Sequence, residues 1–261
     1  MGDCCKVKSP NKLGSYIVFL LLNKHANMTI KAIIFDVDGT MADTEDAHRQ
    51  SFNKAFAENK LDWNWDVALY DKLLKVTGGK ERIKYFVSDF LKGYSKPDHF
   101  DEFVKHLHAV KTTHYTAMMR AGGVPLRPGI RQLINDARKA GITLAIATTT
   151  SPENVGALLE VGLGKDWESY FASVGCGDIV PLKKPAPDIY NWVLNEIKLP
   201  ASDCIALEDS NNGLRSSLAA GIKTYITTNH YTRSQDFTGA AAVFEDLSNL
   251  PSFYQSAGLK L

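Results

Sequence analysis

From Lys31 onward the chain settles into a repeating pattern: short, continuous apolar runs alternate with longer segments whose apolar residues recur every three or four positions. KAIIFD (31–36) is an Ile-rich run that stops abruptly at Asp and Gly, as a strand buried on both faces does. ITLAIAT (142–148), CIALE (204–208) and IKTYIT (222–227) repeat the signature, and a weaker run lies near 172–176. Between them, Ile130, Leu133, Ile134 and Ala137 form one helical stripe, and Ile189, Trp192, Val193 and Ile197 another. Gly141 follows the first stripe and Pro200 the second, each just ahead of the next strand. Helices alternating with fully apolar strands predict an α/β architecture, a doubly wound parallel sheet.

One stretch breaks the alternation. Between 47 and 121 there is no buried-strand pattern, only helical stripes such as Ile83, Phe86, Val87, Phe90 and Leu91, then Phe103, Leu107 and Val110. An all-helical cap inserted after the first strand is therefore expected at 47–121, with the core domain at 29–46 and 122–261. Asp43–Asp46 and Gly122–Arg127 are the expected hinges.

Composition adds limits. Hydrophobic residues make up 44% and charged residues 23%, enough for a substantial core. Thirty Lys and Arg against 29 Asp and Glu leave a net charge of +1, so binding of nucleic acid by bulk charge is not expected. Cys4, Cys5, Cys176 and Cys204 have no zinc spacing, and a reduced, intracellular protein is the simplest reading, with Cys176 and Cys204 as buried thiols. YIVFLLL (16–22) is too short to span a bilayer and no small-residue cleavage site follows it. Residues 1–28 read as an extension outside the domain, Met28 being a natural start. The expected setting is the cytoplasm, or the plastid stroma in a photosynthetic eukaryote; no membrane partner is expected, and the protein is expected to be a monomer.

In an open parallel sheet, ligands sit beyond the carboxyl ends of the strands. The first strand ends Asp36-Val37-Asp38-Gly39-Thr40, and side chains two apart on extended backbone share a side, so Asp36 and Asp38 can face one small ligand. A calcium loop starting at Asp36 fails, because Met41 and Ala47 stand where Gly and Glu are needed. Taken alone, the segment suits a solvated strand end equally well. Thr148, Thr149, Thr150 and Ser151 precede a helix opened by Pro152, where hydroxyls and N–H groups make either an anion site or a helix cap. Lys184 precedes Pro185 and a helix start, and Glu208-Asp209-Ser210-Asn211-Asn212 closes CIALE. Two acids at a buried strand end need a positive partner, and Mg²⁺ would serve. The set supplies a carboxylate nucleophile (Asp36), a second carboxylate as general acid and base (Asp38), hydroxyl donors, a Lys and a metal-binding acid. That is the chemistry of phosphoryl transfer.

The order D-x-D-G-T, Thr148, Lys184-Pro185 and Glu208-Asp209-Ser210 resembles the four motifs of the haloacid dehalogenase superfamily. The helical insertion after the first motif is similar to the subclass with a helical cap, which includes beta-phosphoglucomutase and phosphoglycolate phosphatase. The resemblance implies that Asp36, the main-chain carbonyl of Asp38 and Asp209 hold Mg²⁺, with Glu208 a ligand or neighbour, and assigns Thr148 and Lys184 to the phosphate. ADTEDAHRQSFNKAFAE, TGGKERI, ATTTS, KKPAPDIY and ALEDSNNGLRSS further resemble the CbbY family of xylulose-1,5-bisphosphate phosphatases. A sugar bisphosphate substrate follows. Lys80 and Arg82, after Gly78-Gly79, would meet the distal phosphate; Glu45, His48 and Tyr70 would meet sugar hydroxyls; Gly79, Thr149, Thr150 and Asn212 complete the expected substrate contacts. Alternatives are a sugar phosphomutase, which Ser151 disfavours because mutase relatives carry a basic residue there, a phosphoglycolate-type monophosphatase, and a silent binding protein on the same fold. His106, His108 and His114 read as structural or exposed, and Tyr231 and Arg233 as bordering the site at most.

Overall fold

A computed structural model describes residues 30–261; the expectations for residues 1–28 lie outside the described residues. Six parallel strands form one sheet: β1 (Ala32–Phe35), β2 (Thr143–Ala147), β3 (Ser173–Gly175), β4 (Cys204–Glu208), β5 (Lys223–Thr227) and β6 (Ala242–Phe244). Their order is β3-β2-β1-β4-β5-β6, so β1 is central, with Phe35 in register with Ile146 on one side and Leu207 on the other. The chain reverses direction across the sheet at β1, which places the carboxyl ends of β1, β2 and β4 side by side.

Alternation along the strands separates two apolar layers. Ile33, Phe35, Leu144, Ile146, Ile205 and Leu207 face α5 (Ile130–Lys139), α6 (Pro152–Leu163) and α9 (Leu250–Ala257). Ala32, Ile34, Ala145, Ala147 and Ala206 face the other way, onto Ile189, Tyr190 and Val193 of α7 (Asp188–Ile197). Small residues on that face let α7 approach closely, which matters because the loop ahead of it carries Lys184. The sheet and its flanking helices are the doubly wound α/β core read from the pattern.

The segment after β1 is helical: α1 (Glu45–Glu58), α2 (Val67–Leu73), α3 (Gly79–Asp89) and α4 (Phe100–Arg120). It has its own apolar cluster, built on Phe52, Phe56, Trp63, Trp65, Ile83, Phe86 and Leu107. Trp65 is fully buried, its ring 4.6 Å from Phe52 and 4.9 Å from Phe56. The stripe expected through Phe90 and Leu91 stops short, because α3 ends at Asp89 and Phe90 is exposed. α1 begins at Glu45, so Glu45 and Asp46 belong to its first turn.

Arg127, expected within a hinge, is instead buried and pinned. Its guanidinium donates to the carbonyls of Gly39 (2.5 Å), Thr227 (3.0 Å), Thr228 (2.5 Å) and Glu245 (2.7 Å), tying the loop after β1 to the ends of β5 and β6. Cys176 and Cys204 are buried free thiols. Among the described residues no helix is long and apolar enough to cross a membrane.

Candidate active site

The carboxyl ends of β1, β2 and β4 and the inner face of the helical layer enclose one cavity of about 410 Å³. On the sheet side stand Asp36 and Asp38 after β1, Thr148–Ser151 after β2, Lys184, and Asp209–Asn212 after β4; Glu45, His48, Gly79 and Arg82 line the helical side. Residues widely spaced in sequence are thus brought together by the sheet order.

Asp36 and Lys184 form a buried pair. The ammonium lies 2.7 Å from Asp36 Oδ1 and 2.6 Å from Glu208 Oε1, and donates to the Ala147 carbonyl at 2.8 Å. Thr40 Oγ1 donates to the other oxygen of Asp36. Glu208 does not line the cavity: it sits beneath it, also accepting from Tyr190 Oη at 2.6 Å, while its Oε2 is buried with no hydrogen-bond partner. Asp36, Glu208 and Asp209 bring carboxylate oxygens within 4.8 Å of one another. One ammonium stands among three carboxylates and contacts two of them. Burial pushes Asp36 up to about 7 against the pull of Lys184, with Glu208 and Asp38 adding to the rise. Burial, then Asp36 and Glu208, lift Asp209 well above the carboxylate range, and the same acids outweigh burial to hold Lys184 above its ordinary value. The orphaned Glu208 oxygen and the crowded, oxygen-only donor set fit a hard divalent cation.

Two glycines make this packing possible. Gly39 has φ +83, and a Cβ there would stand 2.2 Å from Asp209 Oδ2. At Gly213, in the first turn of α8 (Asn211–Ala219), a Cβ would stand 1.9 Å from Glu208 Oε2.

Asp38 has a different environment. Its Oδ1 accepts from Thr44 Oγ1 at 2.6 Å and from His48 Nε2 at 2.9 Å. Burial alone would raise its proton affinity, but His48 and Thr44 hold the carboxyl well below the usual range. His48 Nδ1 faces Lys111 Nζ at 2.5 Å, and the ring stacks on Tyr115 at 4.2 Å. With Lys111 as an ammonium, which can only donate, Nδ1 accepts and the imidazole is neutral with its proton on Nε2, in line with burial lowering its basicity. Both ring nitrogens are therefore engaged, and His48, expected to meet sugar hydroxyls, lines the cavity while bonded to Asp38 and Lys111. Lys111 is itself buried over the faces of Phe52 and Tyr115, and burial pulls it down to about 7.

Three other expected residues fall into distinct places. Tyr70 is fully buried behind the wall, donating to Glu45 Oε2 at 2.9 Å and accepting from Arg82 Nη1 at 2.7 Å, so it orients two lining residues without reaching the cavity. Arg82 lines the cavity, and among the described residues no carboxylate pairs with it. Lys80 does not line it. The Lys80 ammonium pairs with Asp178, which also binds Lys183, so Lys80 joins α3 to the loop after β3. Residues two apart on a helix point in nearly opposite directions, so Lys80 and Arg82 cannot share one target from α3.

Thr148 is buried at the base, its N–H bound to the Gly175 carbonyl, and Thr150 accepts from Asn154 Nδ2 at 2.9 Å. Ser151 caps α6 by accepting from the Asn154 N–H. Asn212 Nδ2 donates to Thr77 Oγ1 at 3.0 Å, a link from α8 to the helical layer. Tyr231, read as bordering the site at most, lines it, as does His108, read as structural or exposed; the structure adds Lys111, Asn154, Thr232, Ser234 and Gln235. Lys111 left a trace in sequence, since it interrupts the apolar stripe of Val104, Leu107 and Tyr115 on α4. Arg233 is absent from the lining.

Comparison with known proteins identifies the family. The family model of haloacid dehalogenase-like hydrolases matches residues 30–221. Protein CbbY of Cupriavidus necator, plasmid form, is 49% identical over 220 residues, 84% of this chain and 87% of its own length. The chain belongs to the CbbY branch of the haloacid dehalogenase-like hydrolases. This hydrolase is an enzyme of the phosphatase type. A CBBY-like protein of Arabidopsis thaliana is 38% identical, across 84% of this chain and 70% of its own length. Among solved structures, Rhodobacter sphaeroides CbbY in complex with phosphate superposes with a TM-score of 0.80 at 44% identity, across 85% of this chain and 96% of that one. A mutant of that protein, solved in complex with xylulose-(1,5)bisphosphate, gives 0.80 at 42% identity over the same shares. Beta-phosphoglucomutase of Clostridium difficile, at 19% identity and a TM-score of 0.71, shares the fold.

Proposed function

We propose that this hydrolase is a Mg²⁺-dependent phosphatase of sugar bisphosphates acting through an aspartyl phosphate on Asp36, with xylulose-1,5-bisphosphate as its leading substrate. The observation that carries the reading is that one cavity collects the acidic sheet end and cationic side chains of the helical layer. Asp36, Asp209, Lys184 and Thr148 line it from the sheet; Arg82, which no carboxylate pairs among the described residues, and Lys111 line it from the helices. A molecule with two phosphates suits both sets, and the xylulose-(1,5)bisphosphate complex of the 42% identical relative supports that choice.

Asp36, Asp209 and the main-chain carbonyl of Asp38 would hold the cation, with Glu208 beside them. When bound, Mg²⁺ lowers the repulsion between carboxylate and phosphate and stabilises charge on the transferring oxygens. Asp36 forms its bond to phosphorus as the ester P–O bond breaks, and Lys184 neutralises the charge shared between them. Asp38 gives its proton to the departing sugar oxygen, then takes one from the water that cleaves the aspartyl phosphate. The arrangement seen here keeps Asp38 ionised, the form that activates water; approach of a phosphate dianion raises its proton affinity, and the proton it delivers in the first step is taken up from solvent or from the substrate phosphate as the substrate binds. Glu45, held by Tyr70, accepts from sugar hydroxyls, and Arg82 binds the distal phosphate.

The test is phosphate release from a panel of sugar mono- and bisphosphates, with and without Mg²⁺, by the wild type and Asp36→Asn. The reading expects Mg²⁺-dependent release from bisphosphates that Asp36→Asn abolishes while remaining folded. Isomerised sugar phosphate in place of inorganic phosphate would identify a mutase.

A further inference from the structure

Asn229 follows β5, outside every motif read from the sequence, yet its side chain is fixed at both ends. Oδ1 accepts the main-chain N–H groups of Tyr231 at 2.9 Å and Thr232 at 3.2 Å. The Asn229 N–H in turn donates to Thr232 Oγ1 at 3.0 Å, closing a tight turn. Two N–H groups on one end of the amide identify that end as oxygen, so the other end must be the donor. It lies 2.7 Å from Asp209 Oδ2 and 3.4 Å from the Gly39 carbonyl. The approach depends on position 39, where a Cβ would meet both Asp209 Oδ2 and, at 2.7 Å, Asn229 Nδ2.

Asp209 is buried beside Asp36 and Glu208, and must remain anionic in like-charged company to serve a cation. A neutral N–H donor on one oxygen stabilises that charge without adding a competing ligand. It also sets the rotation of the carboxylate and leaves Oδ1 for coordination. The geometry points to Asn229 as the positioning residue of the metal centre, a neutral donor that orients Asp209 toward the divalent cation. This rests on the metal site proposed above. Because the segment from Asn229 also carries Tyr231, Thr232, Ser234 and Gln235 into the cavity wall, it joins that wall to the cation site.

The experiment is titration of the full chain with Mn²⁺, reading free ion by electron paramagnetic resonance, for wild type, Asp209→Asn, Asn229→Ala and Asn229→Ser. Thermal melts in chelator accompany each. Serine keeps an oxygen that can accept the turn N–H groups but is too short to reach Asp209. Wild type is expected to bind Mn²⁺ and Asp209→Asn to lose it. Both Asn229 variants should bind roughly 10–100-fold more weakly, as when a partner of a metal ligand is removed. A merely structural turn would instead leave Asn229→Ser like wild type, and a serine variant within about twofold of wild-type affinity overturns the inference. If Asn229→Ala fails to fold, the serine variant decides. Absence of Mn²⁺ binding by wild type overturns the metal site itself and this inference with it, whereas normal wild-type binding, lost in Asp209→Asn and retained in Asn229→Ser, overturns this inference alone.

Discussion

Lys184→Met is the most direct test of how the sheet end is held together. The substitution preserves the apolar stem and removes one ammonium that contacts Asp36 at 2.7 Å, Glu208 at 2.6 Å and the Ala147 carbonyl at 2.8 Å. At an effective dielectric of about 20, each ion contact is worth about 6 kcal/mol before desolvation of the ammonium is subtracted. Removing one member of a buried pair typically costs a net ~3–5 kcal/mol, because the remaining charge stays buried without a partner. Here two acids lose that partner while Asp209 stands beside them, so the upper half of the range is expected. Urea unfolding in chelator at pH 7.5, followed by tryptophan fluorescence, should show the midpoint falling by ~1.3–1.7 M for an m-value near ~3 kcal/mol/M. Millimolar Mg²⁺ should restore more stability to the variant than to wild type, because the cation replaces the missing counter-charge. Phosphate release should fall at least ~100-fold, the scale of losing one electrostatic stabiliser of the transition state. A stability loss below ~1 kcal/mol with turnover within ~10-fold of wild type would refute the reasoning.

His48→Ala removes the donor that orients Asp38, so kcat should fall ~10–100-fold with KM little changed; a change confined to KM would mean that the ring meets substrate. His108 is held neutral by burial, and by Lys111, Lys80 and His48, down to about 3 against an ordinary 6.5. The unfolded chain binds the extra proton between these values, so His108 stabilises above 6.5 and that contribution is lost as pH falls toward 3, at up to ~1.4 kcal/mol per pH unit. His108→Gln should flatten the acid limb of stability, measured by urea unfolding between pH 4 and 7, and an unchanged limb would contradict the placement. Arg127→Met strips donors from four carbonyls and should cost ~3–5 kcal/mol, seen as a lower melting temperature; a loss under ~1 kcal/mol would show that water replaces those donors freely.

The strands that could be read from sequence are those buried on both faces. β1, β2, β4 and β5 need continuous apolar runs because helices cover the sheet above and below. β6 lacks that signal: it is three residues at the edge of the sheet with Val243 half exposed, so its segment reads as a loop. The sheet end of the site was legible for the same reason. Each motif directly follows a readable strand, and the rule that ligands gather at carboxyl ends converts order along the chain into nearness in space. The helical side offered only spacing. Lys80 and Arg82 follow two glycines and are expected to meet one phosphate, but α3 begins at Gly79 and turns them to opposite sides. His48 lies on the expected face of α1, yet what it meets is decided by α4, which sequence spacing does not align with α1.

That division has a chemical consequence for the two central acids. Asp36 and Asp38 are two residues apart, and their proton affinities are pushed in opposite directions. Asp36 is answered by Lys184, fixed on the sheet through the Ala147 carbonyl and Glu208. Asp38 is answered by Thr44 and His48, and through His48 by Lys111 on α4. Displacement of α1 and α4 would carry His48 and Lys111 away and leave Lys184 in place. Asp36 therefore takes its state from the sheet, and Asp38 takes its state from the helical layer. Two carboxylates in one short segment can then hold different roles because each is controlled by a different part of the fold.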